Sequence, residues 1–199
     1  QDNRGHLNGY RIFQVDDYSN FYADDPSLWY SEKTGDSTYI PMNTSNNQSL
    51  LLKLGFNLIK GVRFSLLNST SNDTWFGYDH AFKYNPDGRI GSHKETSYNA
   101  FQLNHMINPT LFYEFKMSYI DNYSGSYLYK DPLDTNYVHG KYLENYGPGF
   151  FTGGQQKNHS MLTMRDKTIK FDMTWQATHR HSIKLGLLGI AHNVDQKWQ

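Results

Sequence analysis

One stretch of the chain, residues 110–121 (TLFYEFKMSYID), sorts its side chains by parity. Large apolar or aromatic residues occupy every second position, and Glu114, Lys116 and Ser118 lie between them. Because successive side chains of a β-strand point to opposite sides, this pattern predicts a strand with one apolar and one polar face. Five such residues over about ten positions are typical of a membrane-spanning barrel strand. The apolar set is Leu111, Tyr113, Phe115, Met117 and Tyr119.

The same alternation recurs in two further stretches, which predicts several strands of one kind. In residues 50–58 the opposite face carries Lys53, and in residues 169–177 it carries Lys170 and Asp172. The apolar positions are Leu50, Leu52, Leu54, Phe56 and Leu58 in the first stretch, and Ile169, Phe171, Met173, Trp175 and Ala177 in the second.

Breakers between the alternating runs predict three short turns, near Lys60, Asn108 and Arg180. The connections between these hairpins are long, roughly residues 68–96 and 122–165. Short turns alternating with long loops are typical of outer-membrane barrels, whose long loops lie outside the cell. We therefore predict an all-β fold, in which residues 49–199 form a six-stranded antiparallel meander. It would be part of a transmembrane β-barrel with long extracellular loops.

Two segments on the loop side are less regular. Residues 1–48 are predicted to be an extracellular loop, with the end of a strand at residues 9–15. The run NPDG at residues 85–88 predicts a tight turn, because Pro presets φ and Gly accepts a positive φ. We expect this turn to form the tip of a protruding hairpin between residues 75–84 and 89–98.

Composition excludes several partners and chemistries. The chain has 19 basic and 19 acidic residues and zero formal charge, so it lacks the basic excess of a nucleic-acid-binding protein. Without Cys it has no disulfide, thiolate metal site or Cys nucleophile. No apolar run is long enough for a membrane helix, and the N-terminus shows no signal peptide. The chain opens at Gln1 in polar sequence without a Met and ends at Gln199 just beyond a predicted strand, which predicts an internal fragment of a longer protein.

No catalytic, cofactor or metal site is predicted, so we expect a protein that is not an enzyme. His179 and His181 share a short turn, but a third zinc ligand is missing nearby in sequence. Charged residues on the polar strand faces are interpreted as a ladder that lines a barrel lumen, rather than as acid–base catalysts. They are Glu114, Lys116, Lys170 and Asp172.

Aromatic residues crowd the longest loop, and two interpretations of them stay open. Exposed rings at this density can stack on a carbohydrate or another amphipathic ligand. Alternatively, they pack the loop against its neighbours. The candidate ligand-contact residues are Tyr127, Tyr129, Tyr137, Tyr142, Tyr146 and Phe150.

Five segments form a further pattern: YDHAFKYNPDGR at 78–89, LNHMINPTLFYEFKMSY at 103–119, YLYKDPLDTNYVHGKYL at 127–143, FFTGG at 150–154 and HRHSIKLGLLGIAHNV at 179–194. This set resembles the barrel region of TonB-dependent outer-membrane receptors. It is most similar to the subgroup with a carboxypeptidase-regulatory-like domain ahead of the plug. The resemblance covers the chain from about residue 49 to its C-terminus.

The resemblance implies a receptor in the bacterial outer membrane that binds a scarce nutrient and imports it with energy from an inner-membrane complex. The implied partners are outer-membrane lipid, the remaining barrel strands, the plug domain, TonB through the missing plug region, and an extracellular nutrient. The chain shows no TonB box, plug or terminal aromatic strand, so no functional residue of the family is carried over. It corresponds to about a quarter of a barrel of roughly 22 strands. The rival interpretation is a secreted β-sandwich that binds glycans, with its apolar faces buried against each other.

Overall fold

The computed structural model describes residues 2–4, 7–143 and 149–198, with the backbone alone for residues 2–4 and 58. In this part of the chain the helical elements are short 3₁₀ turns, at Pro26–Leu28, His80–Phe82, Pro86–Gly88 and Gly140–Tyr142. The strands are β1 (Asp2–Arg4), β2 (Asn8–Tyr10), β3 (Ser19–Asn20), β4 (Tyr30–Ser31), β5 (Tyr39–Pro41), β6 (Thr44–Ile59), β7 (Val62–Phe76), β8 (Gly91–Asn108), β9 (Leu111–Tyr127), β10 (Ser160–Thr178) and β11 (His181–Trp198).

One antiparallel sheet of seven strands contains all the long elements, in the order β1-β6-β7-β8-β9-β10-β11. From β6 to β11 each strand pairs with the next along the chain, which confirms the predicted all-β fold and its six-stranded meander. The sheet is open and does not close into a barrel; β11 pairs with β10 alone among the described strands. Two small sheets, β2-β5 and β3-β4, lie outside it.

The three short turns lie where the sequence predicts them, at residues 60–61, 109–110 and 179–180. They share one end of the sheet, which we call the turn end. The long connections, residues 77–90 and 128–159, leave the opposite end, which we call the loop end. The strands are longer than predicted: β6 begins at Thr44 rather than residue 49, and the six strands of the meander contain 15 to 19 residues each.

The prediction that residues 85–88 form the tip of a hairpin is wrong. Between β7 and β8 the chain leaves the sheet and forms two 3₁₀ turns instead of two extended strand arms. The second turn points inward, because the Asn85 side chain is fully buried and its Nδ2 donates to the Gly154 carbonyl at 2.8 Å. A turn does form at Pro86–Gly88, but Gly88 does not have the positive φ that the sequence predicts, and the place of the turn in the fold depends on a contact 69 residues away.

Residues 1–48 contain more structure than a single loop. The strand end predicted at residues 9–15 is limited to Gly9 and Tyr10, which pair with β5. Beyond it the backbone binds other segments, because the Phe13 N–H donates to the Tyr84 carbonyl at 3.0 Å. The prediction of a strand over 11–15 is therefore wrong.

Each long strand divides its side chains between two faces of the sheet. We call the side that carries Phe115 face A and the side that carries Lys116 face B. Directly paired residues of antiparallel strands share a face, so the register carries one row of apolar side chains across face A. That row is Phe56, Phe64, Leu103, Phe115, Phe171 and Leu187.

Face A changes its character between the turn end and the loop end. The turn half is apolar, and its large side chains are exposed, including Leu54 at 42%, Met117 at 49% and Leu187 at 62%. The loop half is polar, with Glu95 and Asp121 on the same face. The buried hydrophobic side chains that the structure describes lie at this end and in its connections, and they are Phe13, Met42, Phe82 and Tyr127.

Candidate functional site

The long connections fold together into one unit at the loop end, which we call the loop assembly. Backbone hydrogen bonds join its segments: the Tyr10 N–H donates to the Lys83 carbonyl, and the Gly154 N–H to the Val15 carbonyl, both at 2.7 Å. These bonds connect parts of the chain that are far apart in sequence and satisfy their backbone groups. The loop assembly comprises residues 7–43, 77–90, 128–143 and 149–159.

Aromatic rings form the core of the loop assembly. The rings of Phe82 and Phe151 lie 4.4 Å apart, and the ring of Tyr84 meets that of Phe150 edge-on at 4.7 Å. Phe13 packs against Phe150 from the N-terminal segment at 6.3 Å. Offset and edge-to-face ring contacts of this kind add specific geometry to apolar burial. They hold the three segments in one arrangement.

Two buried amide side chains fasten the longest connection. Gln155 is 2% exposed; its Oε1 accepts from the Val138 N–H at 2.8 Å, and its Nε2 donates to the Asn136 carbonyl at 3.2 Å. Asn85 reaches the same connection through its bond to Gly154. An unpaired buried backbone group costs about 1–3 kcal/mol. The two amide side chains avoid this cost by taking the place of water as hydrogen-bond partners of the backbone.

Arg89 joins the start of β8 to the segments around it. Its buried guanidinium donates to the carbonyls of Met42 and Gly77, and its Nε donates to the Pro86 carbonyl at 3.3 Å. The guanidinium carbon also lies 5.4 Å from the centre of the Phe76 ring. Burial lowers the pKa of Arg89 from its ordinary value, because it disfavours the charged form.

Three of the predicted ligand-contact residues belong to a stack of rings between the sheet and the loop assembly. Tyr127 is 6% exposed, and its ring lies 4.5 Å from that of His93, nearly parallel at 8°. His159 follows on Tyr127 at 6.2 Å, and Tyr137 meets His159 at 5.7 Å. Tyr129 contacts Tyr137 edge-on at 4.9 Å. These rings therefore pack against one another.

The remaining candidates lie elsewhere. Phe150 belongs to the aromatic core of the loop assembly, and Tyr142 is half-buried, with the Lys141 ammonium 4.8 Å from its ring centre. Tyr146 lies outside the described residues. Four of the described candidates, Tyr127, Tyr129, Tyr137 and Phe150, pack against other aromatic rings, as the second of the two interpretations expects.

The stack contains two titratable rings whose charged forms are disfavoured. Burial lowers the pKa of His93 from its ordinary value and raises that of Tyr127. The Nε2 atom of His93 is buried and lacks a hydrogen-bond partner among the described residues. The lowered pKa of His93 and the raised pKa of Tyr127 both favour the neutral rings, which stack without the cost of burying a charge.

A polar hollow of about 730 Å³ opens on face A next to this stack. It contains charges of both signs: Arg165 Nε lies 3.2 Å from Asp121 Oδ2, and Glu95 lines the same space. Lys130 reaches it from the longest connection, with its ammonium 4.7 Å from the centre of the Tyr123 ring. Hydroxyl and amide side chains complete the lining, so the hollow suits a charged or strongly polar group.

An apolar hollow of about 580 Å³ follows directly on the same face, toward the turn end. The two hollows occupy successive rows of one surface, because Leu50 lines the polar hollow and Leu52 the apolar one. Lys167 lies at their boundary. The apolar lining includes Leu52, Leu54, Leu66, Phe101, Met117 and Ile169.

The residues of the polar hollow were not predicted from the sequence. Asp121 and Arg165 are 44 residues apart, and only the register of β9 with β10 brings them together. One signal was available: continuing the parity of residues 111–119 by two further steps places Asp121 and Tyr123 on the face of Phe115. The alternation that predicts the apolar face of β9 therefore also predicts which polar residues lie on that face.

Face B carries the charge ladder that the sequence predicts. Lys116 Nζ lies 2.5 Å from Glu114 Oε1, and Lys170 Nζ lies 2.8 Å from Asp172 Oδ2. Like charges face each other across the strands, since Lys116 pairs with Lys170 in the register and Glu114 with Asp172. Each strand therefore neutralises its own charges, and Gln102 adds a hydrogen bond to Glu114 at 2.9 Å.

No group of three or more His, Cys, Asp or Glu side chains among the described residues is placed to hold a metal ion. None of the described helices has the length and apolar character needed to cross a membrane.

In comparisons with known proteins, no family model matches the chain, and no curated protein or solved structure matches it either.

Proposed function

We propose that this chain is part of the β-barrel of an outer-membrane receptor that binds a nutrient and imports it, as its resemblance to TonB-dependent receptors implies. In this proposal face A meets lipid, face B lines the lumen, and the loop assembly lies outside the cell. The partners are the surrounding lipid, the remaining strands and plug of the barrel, TonB through that plug, and the nutrient. The chain has no catalytic role.

The observation that carries the proposal is the separation of polarity across the central strands β7 to β10. Leu52, Leu66 and Ile169 are 45% to 52% exposed on face A, whereas face B carries paired charges at the same level. The apolar side chains of β9 from Leu111 to Tyr119 span about 27 Å at ~3.4 Å per residue. At the ~40° tilt of barrel strands this gives a height of about 21 Å, near the ~25 Å of an outer-membrane apolar band.

The direction of the loops supports the same function. All short turns share one end of the sheet and the long connections share the other, as in outer-membrane barrels. A glycan-binding sandwich requires a second sheet packed on the apolar face. In the described part of the chain no second sheet covers face A, which favours the barrel segment.

Single cysteines test the two faces, because the native chain has none. Cys replaces each residue from 113 to 118 in turn, carries an environment-sensitive nitrobenzoxadiazole label, and is measured in the full chain refolded into phosphatidylcholine vesicles. We expect blue-shifted emission at Tyr113→Cys, Phe115→Cys and Met117→Cys, and water-like emission at the other three positions, Glu114→Cys, Lys116→Cys and Ser118→Cys. Ser97→Cys, on the polar half of face A, is the matched control and should report water.

Two results would reject the proposal. Emission without a period of two in vesicles would mean that face A does not meet lipid. The same alternation in lipid-free buffer, on a monomer, would mean that protein covers face A, as in a sandwich. The reading frame around this chain gives an independent check, because a receptor barrel requires a plug domain upstream.

A further inference from the structure

A hairpin in the loop assembly, residues 18–32, has two different sides. β3 and β4 pair Ser19 with Ser31 and Asn20 with Tyr30, so successive residues point to opposite sides. One side is buried: Ser19 is 3% exposed, and its hydroxyl lies 2.8 Å from that of Ser31. The other side is open to solvent, and we call it the hairpin surface. Its exposed side chains are Tyr18, Asn20, Tyr22, Leu28 and Tyr30.

The contacts that hold the hairpin together come from its buried side and its turn. The Phe21 ring meets the Trp29 ring edge-on at 5.5 Å, and the Trp29 Nε1 donates to the Ala23 carbonyl at 2.9 Å. Leu28 and Tyr30 remain 70% and 54% exposed, so packing within the hairpin does not account for them. Large apolar side chains grouped on an open surface are typical of a contact with a partner.

The hairpin carries only negative charge. Residues 16–32 contain five carboxylates and neither Lys nor Arg. One of them, Asp17, is buried and accepts from the Thr34 N–H at 2.9 Å. Carboxylates without a counter-charge attract cations. The other four form no salt bridge with a described residue, and they are Asp16, Asp24, Asp25 and Glu32.

These charges lie at both ends of the hairpin surface. At its base, Glu32 Oε1 lies 3.3 Å from the Tyr30 hydroxyl, and the charge of Glu32 raises the pKa of Tyr30. At its tip, Asp25 Oδ1 accepts from the Ser27 N–H at 2.9 Å, which lowers the pKa of Asp25 and keeps it ionised. The segment from Leu28, beside the tip, to Glu32 spans about 14 Å at ~3.4 Å per residue.

We propose that the hairpin surface binds a basic peptide segment from outside the cell, with its cations on the carboxylates and its apolar side chains against Leu28 and Tyr30. This inference rests on the proposed function, because it names the ligand class that the receptor's external loops bind. A lone cation would leave the exposed apolar side chains uncovered, and a neutral sugar would leave the carboxylates without a counter-charge. Lys and Arg side chains satisfy both needs, since they also lie well on tyrosine rings.

The test titrates probes into the full chain in dodecyl maltoside micelles by isothermal titration calorimetry at low salt. The main probe is the capped pentapeptide Arg-Phe-Gly-Phe-Arg, whose two cations lie about 14 Å apart when it is extended. Matched peptides carry Gln or Glu in place of both Arg residues. Spermine represents a cation without apolar side chains, and maltopentaose represents a neutral sugar.

Two variants probe the hairpin surface, and the longest connection supplies a control for each. Asp25→Asn removes one charge and keeps an acceptor for the turn, and Leu28→Ala removes an exposed apolar side chain. Asp131→Asn and Leu133→Ala are the matched controls. Like Asp25, Asp131 precedes a Pro, and its Oδ1 accepts from the N–H two residues on at 2.9 Å. Leu133 is exposed, as Leu28 is.

We expect the Arg peptide to bind more tightly than the Gln peptide, and the Glu peptide not to bind. Asp25→Asn and Leu28→Ala should each weaken binding about two- to fivefold, and both controls should leave it unchanged. No binding of the Arg peptide, equal binding of the three peptides, or equal losses in the controls would overturn the proposal. Spermine binding as tightly as the Arg peptide would do so too, and so would maltopentaose binding that Leu28→Ala abolishes.

The two proposals fail separately, because the cysteine labels report the sheet and the peptides report the hairpin surface. Absence of peptide binding with the cysteine alternation intact rejects this ligand and leaves the barrel proposal standing. Specific peptide binding without the alternation rejects the barrel and leaves a peptide-binding surface on a different kind of protein.

Discussion

At the scale of single residues, neighbours in sequence face two different environments. Phe115 lies on face A between Leu103 and Phe171, and Lys116 lies on face B in an ion pair with Glu114. The period of two in a strand is enough to produce this difference. In the proposed barrel, the first side chain contacts lipid and the second contacts water.

This arrangement predicts unequal effects of two exchanges. In the intact receptor, Phe115→Lys should destabilise the barrel in lipid vesicles by about 2–4 kcal/mol, because a cation near mid-membrane loses its hydration. Lys116→Phe should cost much less, because Gln102 still donates to Glu114 on the hydrated face. Urea titrations of both variants in vesicles measure the difference, and equal losses would argue for a protein that does not meet lipid through face A.

At the scale of elements, the hairpin between β6 and β7 depends on one glycine. Gly61 has φ +83°, a backbone conformation that residues with a Cβ rarely adopt. Its carbonyl accepts a hydrogen bond from the Met106 N–H at 2.7 Å, and a Cβ at Gly61 would lie 2.6 Å from the Met106 carbonyl oxygen. The residue therefore shapes its own turn and fixes the next strand pair.

We expect Gly61→Val to destabilise the sheet by at least about 1–2 kcal/mol, the cost of a left-handed conformation for a side chain with a Cβ. The matched control is Gly189→Val, in the middle of β11, where a Cβ would meet nothing within 4 Å. Valine suits a strand, so this control should change stability by less than about 0.5 kcal/mol. Urea unfolding in micelles decides, and similar losses at both sites would contradict the role assigned to the turn.

At the scale of the whole molecule, the fold leaves an unusually large surface. The chain exposes 13296 Å², whereas a compact monomer of 23.2 kDa exposes roughly 9,700 Å². The excess comes from a single sheet with both faces uncovered and from β11, whose residues are all exposed. An apolar face and an open edge of this size promote association.

The chain produced alone should therefore not be a stable monomer in water. It should aggregate, require detergent, or pair its edges with further copies, because unpaired strand edges in hydrocarbon cost several kcal/mol per group. Light scattering in detergent-free buffer measures the outcome. A monodisperse monomer with a sharp cooperative melt would mean that the apolar faces are buried, and would favour the glycan-binding sandwich instead.

The sequence by itself determined the strands of the meander and its three short turns. Both signals are local: alternation at residues 111–119 follows from the geometry of one strand, and a turn such as that at Gly61 follows from its own φ preference. Neither depends on what the rest of the chain does. The opposed faces of Phe115 and Lys116 were therefore predictable without coordinates.

Only the tertiary structure decided how the connections pack and where a ligand could lie. The turn at residues 85–88 points inward because Asn85 bonds to Gly154, and Tyr127 is buried because His93 and His159 stack on it. Local patterns do not encode such partners, since conformational preference acts over a few residues and these contacts join residues tens of positions apart. The polar hollow has the same origin, because strand register and loop packing, not any motif, create it.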